Sequence, residues 1–220
     1  MKKTKPDTQP AIPFTSRFRK DVHQLIAWGV EDAKSKIENT EAEEKITNFI
    51  RNAIRDKLRS TRERWWRNYD VHNEEPISSE NRTGNDRREI DLLIKWVTRI
   101  QQPEYVFEAK PLNYVKKYQR TGNYVDNEGM GRFIKGEYAD YTASYPEVGM
   151  LGYVLSNTPE QWCAWLQEAI SKKSKALKLV ESSQQDVKVI DTFPLEWISK
   201  HKRCSARHPV TIYHILLNCR

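Results

Sequence analysis

Cysteine is scarce in this chain of 220 residues: Cys163, Cys204 and Cys219 are its only three. Their spacing pairs none of them, which removes a disulfide framework as the source of stability. No apolar run approaches the roughly 20 residues a helix needs to cross a bilayer. None follows the basic start Met1-Lys2-Lys3-Thr4-Lys5-Pro6 as a secretory signal would. The expectation is a cytoplasmic protein without a membrane partner. Internal repeats are missing too. The length suits one substantial core and is short for two. A single domain over 15–220 is therefore expected, behind a polar arm at 1–14 that carries Pro6, Pro10 and Pro13 and should be extended or mobile.

Lys+Arg 37 outnumber Asp+Glu 30, and the net charge of +7 favours a polyanion such as nucleic acid, though the excess is modest. The basic residues Arg51, Arg55, Lys57, Arg59, Arg62, Arg64 and Arg67 alternate with Trp65, Trp66 and Tyr69. Such a stretch can follow a phosphate backbone, while the tryptophans themselves suit core packing. Cys204, His208, His214 and Cys219 are scattered zinc donors in principle. A plain terminal strand over 209–217 accounts for them better.

Apolar periodicity predicts an α/β protein. A first helix carries Phe18, Val22, Leu25, Ile26, Val30, Ala33 and Ile37 on one side, and a second carries Ile46, Phe49, Ile50, Ala53 and Ile54. In the second, Thr40 is expected as N-cap with Glu43 at the third helical position of a capping box. An edge strand is expected over 69–77 and a polar loop over 78–88. Glu89-Ile90-Asp91-Leu92-Leu93-Ile94 reads as one strand and 104–110 as its hairpin partner. Residues 124–138 read as a loop leading into a helix that carries Arg132 and Tyr138. The run 149–155 suits a buried central strand, and Thr158-Pro159 caps and opens the next helix. Residues 187–190, 195–199 and 209–217 read as further strands.

Alternation puts Glu108 and Lys110 on the face of Val106, opposite Tyr105 and Phe107. With Asp91 on the same face, two carboxylates and an ammonium converge. Carboxylates inside apolar strands are costly to desolvate unless paired, so Asp91 and Glu108 need a reason to be there. A salt bridge to Lys110 is one. The other is a hard cation such as Mg²⁺, which takes oxygen ligands, leaves room for water and phosphate, and stabilises charge on phosphoryl oxygens. Lys110 would then orient the attacking water or meet transition-state charge.

Asp91 followed by Glu108-Ala109-Lys110 resembles the PD-(D/E)xK, or restriction-endonuclease-like, nuclease superfamily, with Ile90 where the motif's name has proline. The resemblance implies a mixed central β-sheet flanked by helices in the order α-β-β-β-α-β over about 40–172, with extra C-terminal strands. It implies Mg²⁺ or Mn²⁺ held by Asp91, Glu108 and the carbonyl of Ala109, with Lys110 and a helix glutamate as catalytic partners. Among Glu41, Glu43 and Glu44, Glu43 continues the buried stripe and is the choice. Arg82, Arg87, Arg88, Arg132 and Lys135 are the candidates for holding DNA. A homodimer, or the cutting subunit of a restriction or phage-defence assembly, is implied by the same likeness. The competing readings are a non-catalytic nucleic-acid-binding module with this fold and a protein-interaction module anchored on Trp65, Trp66 and Trp162.

Overall fold

The computed structural model describes residues 16–37, 42–73, 75–76, 89–97, 103–113, 117–138, 146–181, 183–193, 195–203 and 209–220. The arm at 1–14, Thr40, Glu41, the loop with Arg82, Arg87 and Arg88, and Cys204 and His208 lie outside the described residues. The elements run Ser16–Ile37 (α1), Glu43–Ser60 (α2), a 3-10 turn Arg64–Asn68, Tyr69–His72 (β1), Glu75–Pro76 (β2), Glu89–Ile90 (β3), Leu92–Trp96 (β4) and Glu104–Leu112 (β5). They continue with Lys117–Val125 (α3), Met130–Lys135 (α4), Glu147–Val154 (β6), Pro159–Lys172 (α5), Gln185–Val187 (β7), Glu196–His201 (β8) and Val210–Asn218 (β9).

Seven strands form one open mixed sheet, in the order β1-β4-β5-β6-β9-β8-β7. Its centre, β5-β6-β9, is parallel, and the outer pairings are antiparallel. Central strands of this kind are buried on both faces, which is why the runs in β6 and β9 are apolar almost without interruption. One face packs Tyr105, Phe107, Ala109, Leu151 and Tyr153 against α1 and α2. The other packs Val106, Leu112, Met150 and Val154 against α3, α4 and α5. The period-two division expected for β5 therefore holds.

The two helices on the first face meet at Gly29. A Cβ there would lie 2.6 Å from Ile54 Cγ1 and 2.9 Å from the Ile50 carbonyl, so glycine sets the close approach of α1 to α2. At α5 the expected N-cap is present: Thr158 accepts from the Gln161 amide, Gln161 caps in return, and Pro159 opens the helix. No helix among the described residues is long and apolar enough to cross a membrane.

Several local expectations need correction. The strand expected over 187–190 lies earlier, at Gln185–Val187, and 188–190 are outside it. The helix α2 starts at Glu43 with Ala42 as N-cap and no side-chain cap, so Glu43 is the first helical residue and forms no capping box. The stretch 89–94 is not one strand: the chain bends at Asp91, between β3 and β4. Ile90 and Leu93 both bury on the second face although they are three apart, so the bend has reset the alternation. Tyr124 and Val125 belong to a helix, α3, and Tyr138 lies in the turn after α4.

Candidate active site

The site forms where β4 parts from β5. The antiparallel ladder between them reaches Leu92↔Phe107, and its continuation would set Ile90 opposite Ala109. The bend at Asp91 breaks it there. The Ala109 amide donates instead to Asp91 Oδ2 at 2.7 Å, which fixes that carboxylate at the strand break. In a strand a residue's N–H and C=O leave on the same side, so the Ala109 carbonyl also faces the gap. Pro111 is two residues further on and sends its donorless nitrogen the same way. A proline is tolerated in this interior strand because, among the described residues, no partner strand bonds it on that side.

Glu108 and Lys110 project from the alternate positions, and Glu43 reaches them from the first turn of α2. Lys110 Nζ lies 2.9 Å from Glu108 Oε1, 3.0 Å from Glu43 Oε1 and 3.8 Å from Asp91 Oδ2. The three carboxylates differ in access: the side chain of Glu43 is 29% exposed, that of Asp91 21% and that of Glu108 0%. Glu44, one residue on, is exposed.

Two residues hold Glu108 from behind. The Tyr138 hydroxyl donates to Oε2 at 2.5 Å, and Arg132 Nη1 donates to Oε2 at 3.1 Å. Arg132 also bonds Tyr138 Oη at 3.1 Å and Glu128 Oε2 at 3.0 Å. Its guanidinium is thus engaged by carboxylates and a phenol within the protein. Lys135, by contrast, is exposed on α4. Tyr138 as the clamp of Glu108 was not legible as a site residue, because nothing in a sequence ties a turn tyrosine to a strand 30 positions away.

The electrostatics follow from crowding. Burial pushes the Glu108 carboxyl up to about 8, Asp91 pushes the same way, and Lys110 with Arg132 offsets only part of it. Burial also raises Glu43, with Lys110 opposing and Asp91 adding. Burial works against the charge on Lys110, yet Glu108, Asp91 and Glu43 outweigh it and hold its pKa above the ordinary lysine value. Tyr138 is raised by burial and by Glu108. Three carboxylates face two cations here, and the cluster is short of positive charge.

For a hard cation, the donor set is chemically suitable: carboxylate oxygens plus one strand carbonyl. Glu108 Oε1 sits 2.9 Å from both Lys110 Nζ and Arg132 Nη1, but neither meets it along a hydrogen-bonding direction, so this buried oxygen is held by charge alone. Among the described residues no group of three or more His, Cys, Asp or Glu side chains is gathered as a metal cage, and the Lys110 ammonium stands between Glu43 and Glu108. His214 and Cys219 lie in or beside β9 as ordinary buried residues. His214 bonds Tyr124 and Ser199.

Compared with protein-family models, with curated proteins and with solved structures, the chain matches none.

Proposed function

We propose that the protein is a metal-dependent nuclease that hydrolyses phosphodiester bonds in DNA, built on a restriction-endonuclease-like core with added C-terminal strands. The observation that carries this reading is the convergence of Glu43, Asp91 and Glu108 on the ammonium of Lys110, at a strand break open to solvent on the Glu43 and Asp91 side. A salt bridge alone needs one acid for one lysine. Here three acids are spent on it, and the buried one is pushed up to about 8.

Asp91, Glu108 and the Ala109 carbonyl would hold Mg²⁺ or Mn²⁺, with Glu43 supporting its water shell. When bound, the ion supplies charge neutralisation and polarises the phosphoryl group. The residues of the chain do the rest. Lys110, released from part of its carboxylate pairing, orients the attacking water or meets the negative charge that grows on the phosphoryl oxygens. Tyr138 and Arg132 fix the Glu108 rotamer and act as positioning residues. DNA is preferred to RNA, and a cytoplasmic homodimer or a cutting subunit of a restriction or phage-defence assembly is preferred to a lone monomer, on the resemblance of Asp91 and Glu108-Ala109-Lys110 to the superfamily motif.

One observation favours a second reading, a nucleic-acid-binding module without turnover: Glu108 has no exposed side-chain surface and is held by Tyr138 and Arg132. Plasmid DNA and RNA incubated with wild type, Asp91→Ala and Lys110→Ala in Mg²⁺, Mn²⁺ or EDTA separate the two. Metal-dependent DNA cleavage by wild type, lost in both variants, is the expected result. Retarded but intact DNA with all three proteins would establish the module instead.

A further inference from the structure

A row of basic side chains outside the site lies on the same helix. Arg51, Arg55 and Arg59 are four apart on α2 and so share one of its faces. Arg51 bonds Asn48 Oδ1 at 3.1 Å, and Asn48 Oδ1 also accepts from Asn73 just past β1, which shows that this face looks along the β1 edge of the sheet. Beside it is an open cavity of about 350 Å³ lined by Arg55, Leu58, Arg59, Arg67, Tyr69 and Asp70. None of these residues belongs to the cluster around Lys110.

Three guanidinium groups line this cavity, and none of Arg55, Arg59 and Arg67 has an ion pair or hydrogen bond among the described residues. Its one acid is already engaged: Asp70 lies 3.0 Å from His72 Nε2 and accepts from the Val71 amide at 2.8 Å. Tyr69 is tied to Asp21 at 2.9 Å and offers its ring as a wall. Three guanidinium groups against the single carboxylate of Asp70 leave the cleft with net positive charge, and the planar donor fork of arginine matches phosphate oxygens. A helix rises 1.5 Å per residue, so Arg55 and Arg59 lie about 18 and 24 Å along α2 from Glu43. At about 3.4 Å per phosphate on one strand of a duplex, that is a span of roughly five to seven base pairs.

We infer that the cleft formed by Arg55, Arg59 and Arg67 between α2 and β1 is a docking groove for the phosphate backbone of duplex DNA, on one side of the site at Lys110. The helix α2 then acts as a ruler, with its first turn at the reaction site and its last two turns on the backbone. The inference rests on the proposed substrate class but not on turnover.

The test is equilibrium binding of a fluorescent duplex of about 20 base pairs in EDTA, followed over a range of salt concentrations. Wild type is compared with Arg55→Ala/Arg59→Ala/Arg67→Ala, with the matching triple Arg→Lys variant, and with Lys175→Ala/Lys178→Ala/Lys188→Ala, which removes the same charge near the opposite edge of the sheet. Each lost phosphate contact should flatten the log–log salt slope by about 0.9. The alanine triple is expected to lose close to three such increments and to bind all sequences more weakly, while the lysine triple and the distant triple keep most of the slope. An unchanged slope in the arginine-to-alanine triple, an equal loss in the distant triple, or no binding by wild type overturns the groove. Wild type that cleaves while the alanine triple keeps its slope removes the groove and leaves the nuclease. Wild type that binds through the groove without cleaving does the reverse.

Discussion

Glu108 is the residue on which charge balance turns. It is fully buried, and its folded pKa of about 8 stands above the ordinary 4.5. A carboxyl raised in this way favours the folded state most below its unfolded value, and that contribution is lost as pH rises through the folded value. Taken alone and without metal, Glu108's contribution to stability should therefore fall between about pH 4.5 and pH 8, by an amount of the order of a few kcal/mol. The Glu108→Gln variant should lack this fall and be the more stable protein at the alkaline end. A divalent cation reverses the sign, because it binds the deprotonated form and displaces protons. Thermal unfolding with and without Mg²⁺ checks both points. The rise in melting temperature on adding Mg²⁺ should be larger at about pH 8.5 than at about pH 5 and small in Glu108→Gln and Asp91→Asn. A wild-type melting temperature indifferent to Mg²⁺ and Mn²⁺ at both pH values would remove Glu108 and Asp91 as ligands.

At the scale of elements, the site depends on how closely β5 and β6 approach. Gly149 stands beside Phe107 in the parallel register, one position before the Glu108↔Met150 pair. A methyl group on Gly149 would drive into the Phe107 ring, and an aromatic ring packed between α1 and the sheet has nowhere to swing. Gly149→Ala is expected to cost about 1–3 kcal/mol by overpacking. That is a drop of about 2–4 °C in melting temperature for each kcal/mol in a protein of this size. Because Phe107 adjoins Glu108, the same variant should lose more cleavage activity than its stability loss explains. Assaying both well below the melting transition makes the comparison, and full activity in a destabilised variant would show that the site tolerates a shift of β5. The bend at Asp91 belongs to this scale too. It converts a strand residue into a fixed carboxylate by giving it the Ala109 amide, and neither β4 nor β5 alone contains that instruction.

Across the whole molecule, the sheet separates two polar systems. Beneath α1, His23 pairs with Glu196 at 2.6 Å in a fully buried contact. On the other face a chain of hydrogen bonds runs from Tyr124 through His214 and Ser199 to His201 and the Leu177 carbonyl, with steps of 3.0, 2.8, 2.8 and 2.7 Å. It ties α3, β9, β8 and the turn after α5 together. Burial depresses His201 to about 4 and holds His214 well below its ordinary value. A histidine lowered in this way contributes stability above its unfolded value of 6.5, and loses it as pH falls through the folded value. Below about pH 6.5 the two histidines outweigh the opposing contribution of Glu108, so metal-free stability should decline on the acid side, decline again between about pH 6.5 and pH 8 through Glu108, and peak near pH 6.5. Urea unfolding midpoints across this range are the measurement. A His201→Asn variant, neutral at every pH, should show a shallower acid limb, and an unchanged limb would move the acid sensitivity to another group.

The period-two pattern of β5 was enough, on the sequence alone, to place Glu108 and Lys110 on one face, since alternation is a property of a strand whatever it packs against. The same local rules gave the apolar faces of α1 and α2, the Thr158-Pro159 start of α5, the central strand β6 and the terminal strand β9. Tertiary structure decided the rest. It broke the strand at Asp91 and started α2 at Glu43 rather than capping it from Thr40. It also turned Arg132 inward onto Glu108 and supplied Tyr138 as the clamp. These are contacts between groups far apart in the chain, where burial and opposing charge outweigh local preference. A buried carboxylate takes whichever donors the fold brings within reach, and no local pattern says which those will be.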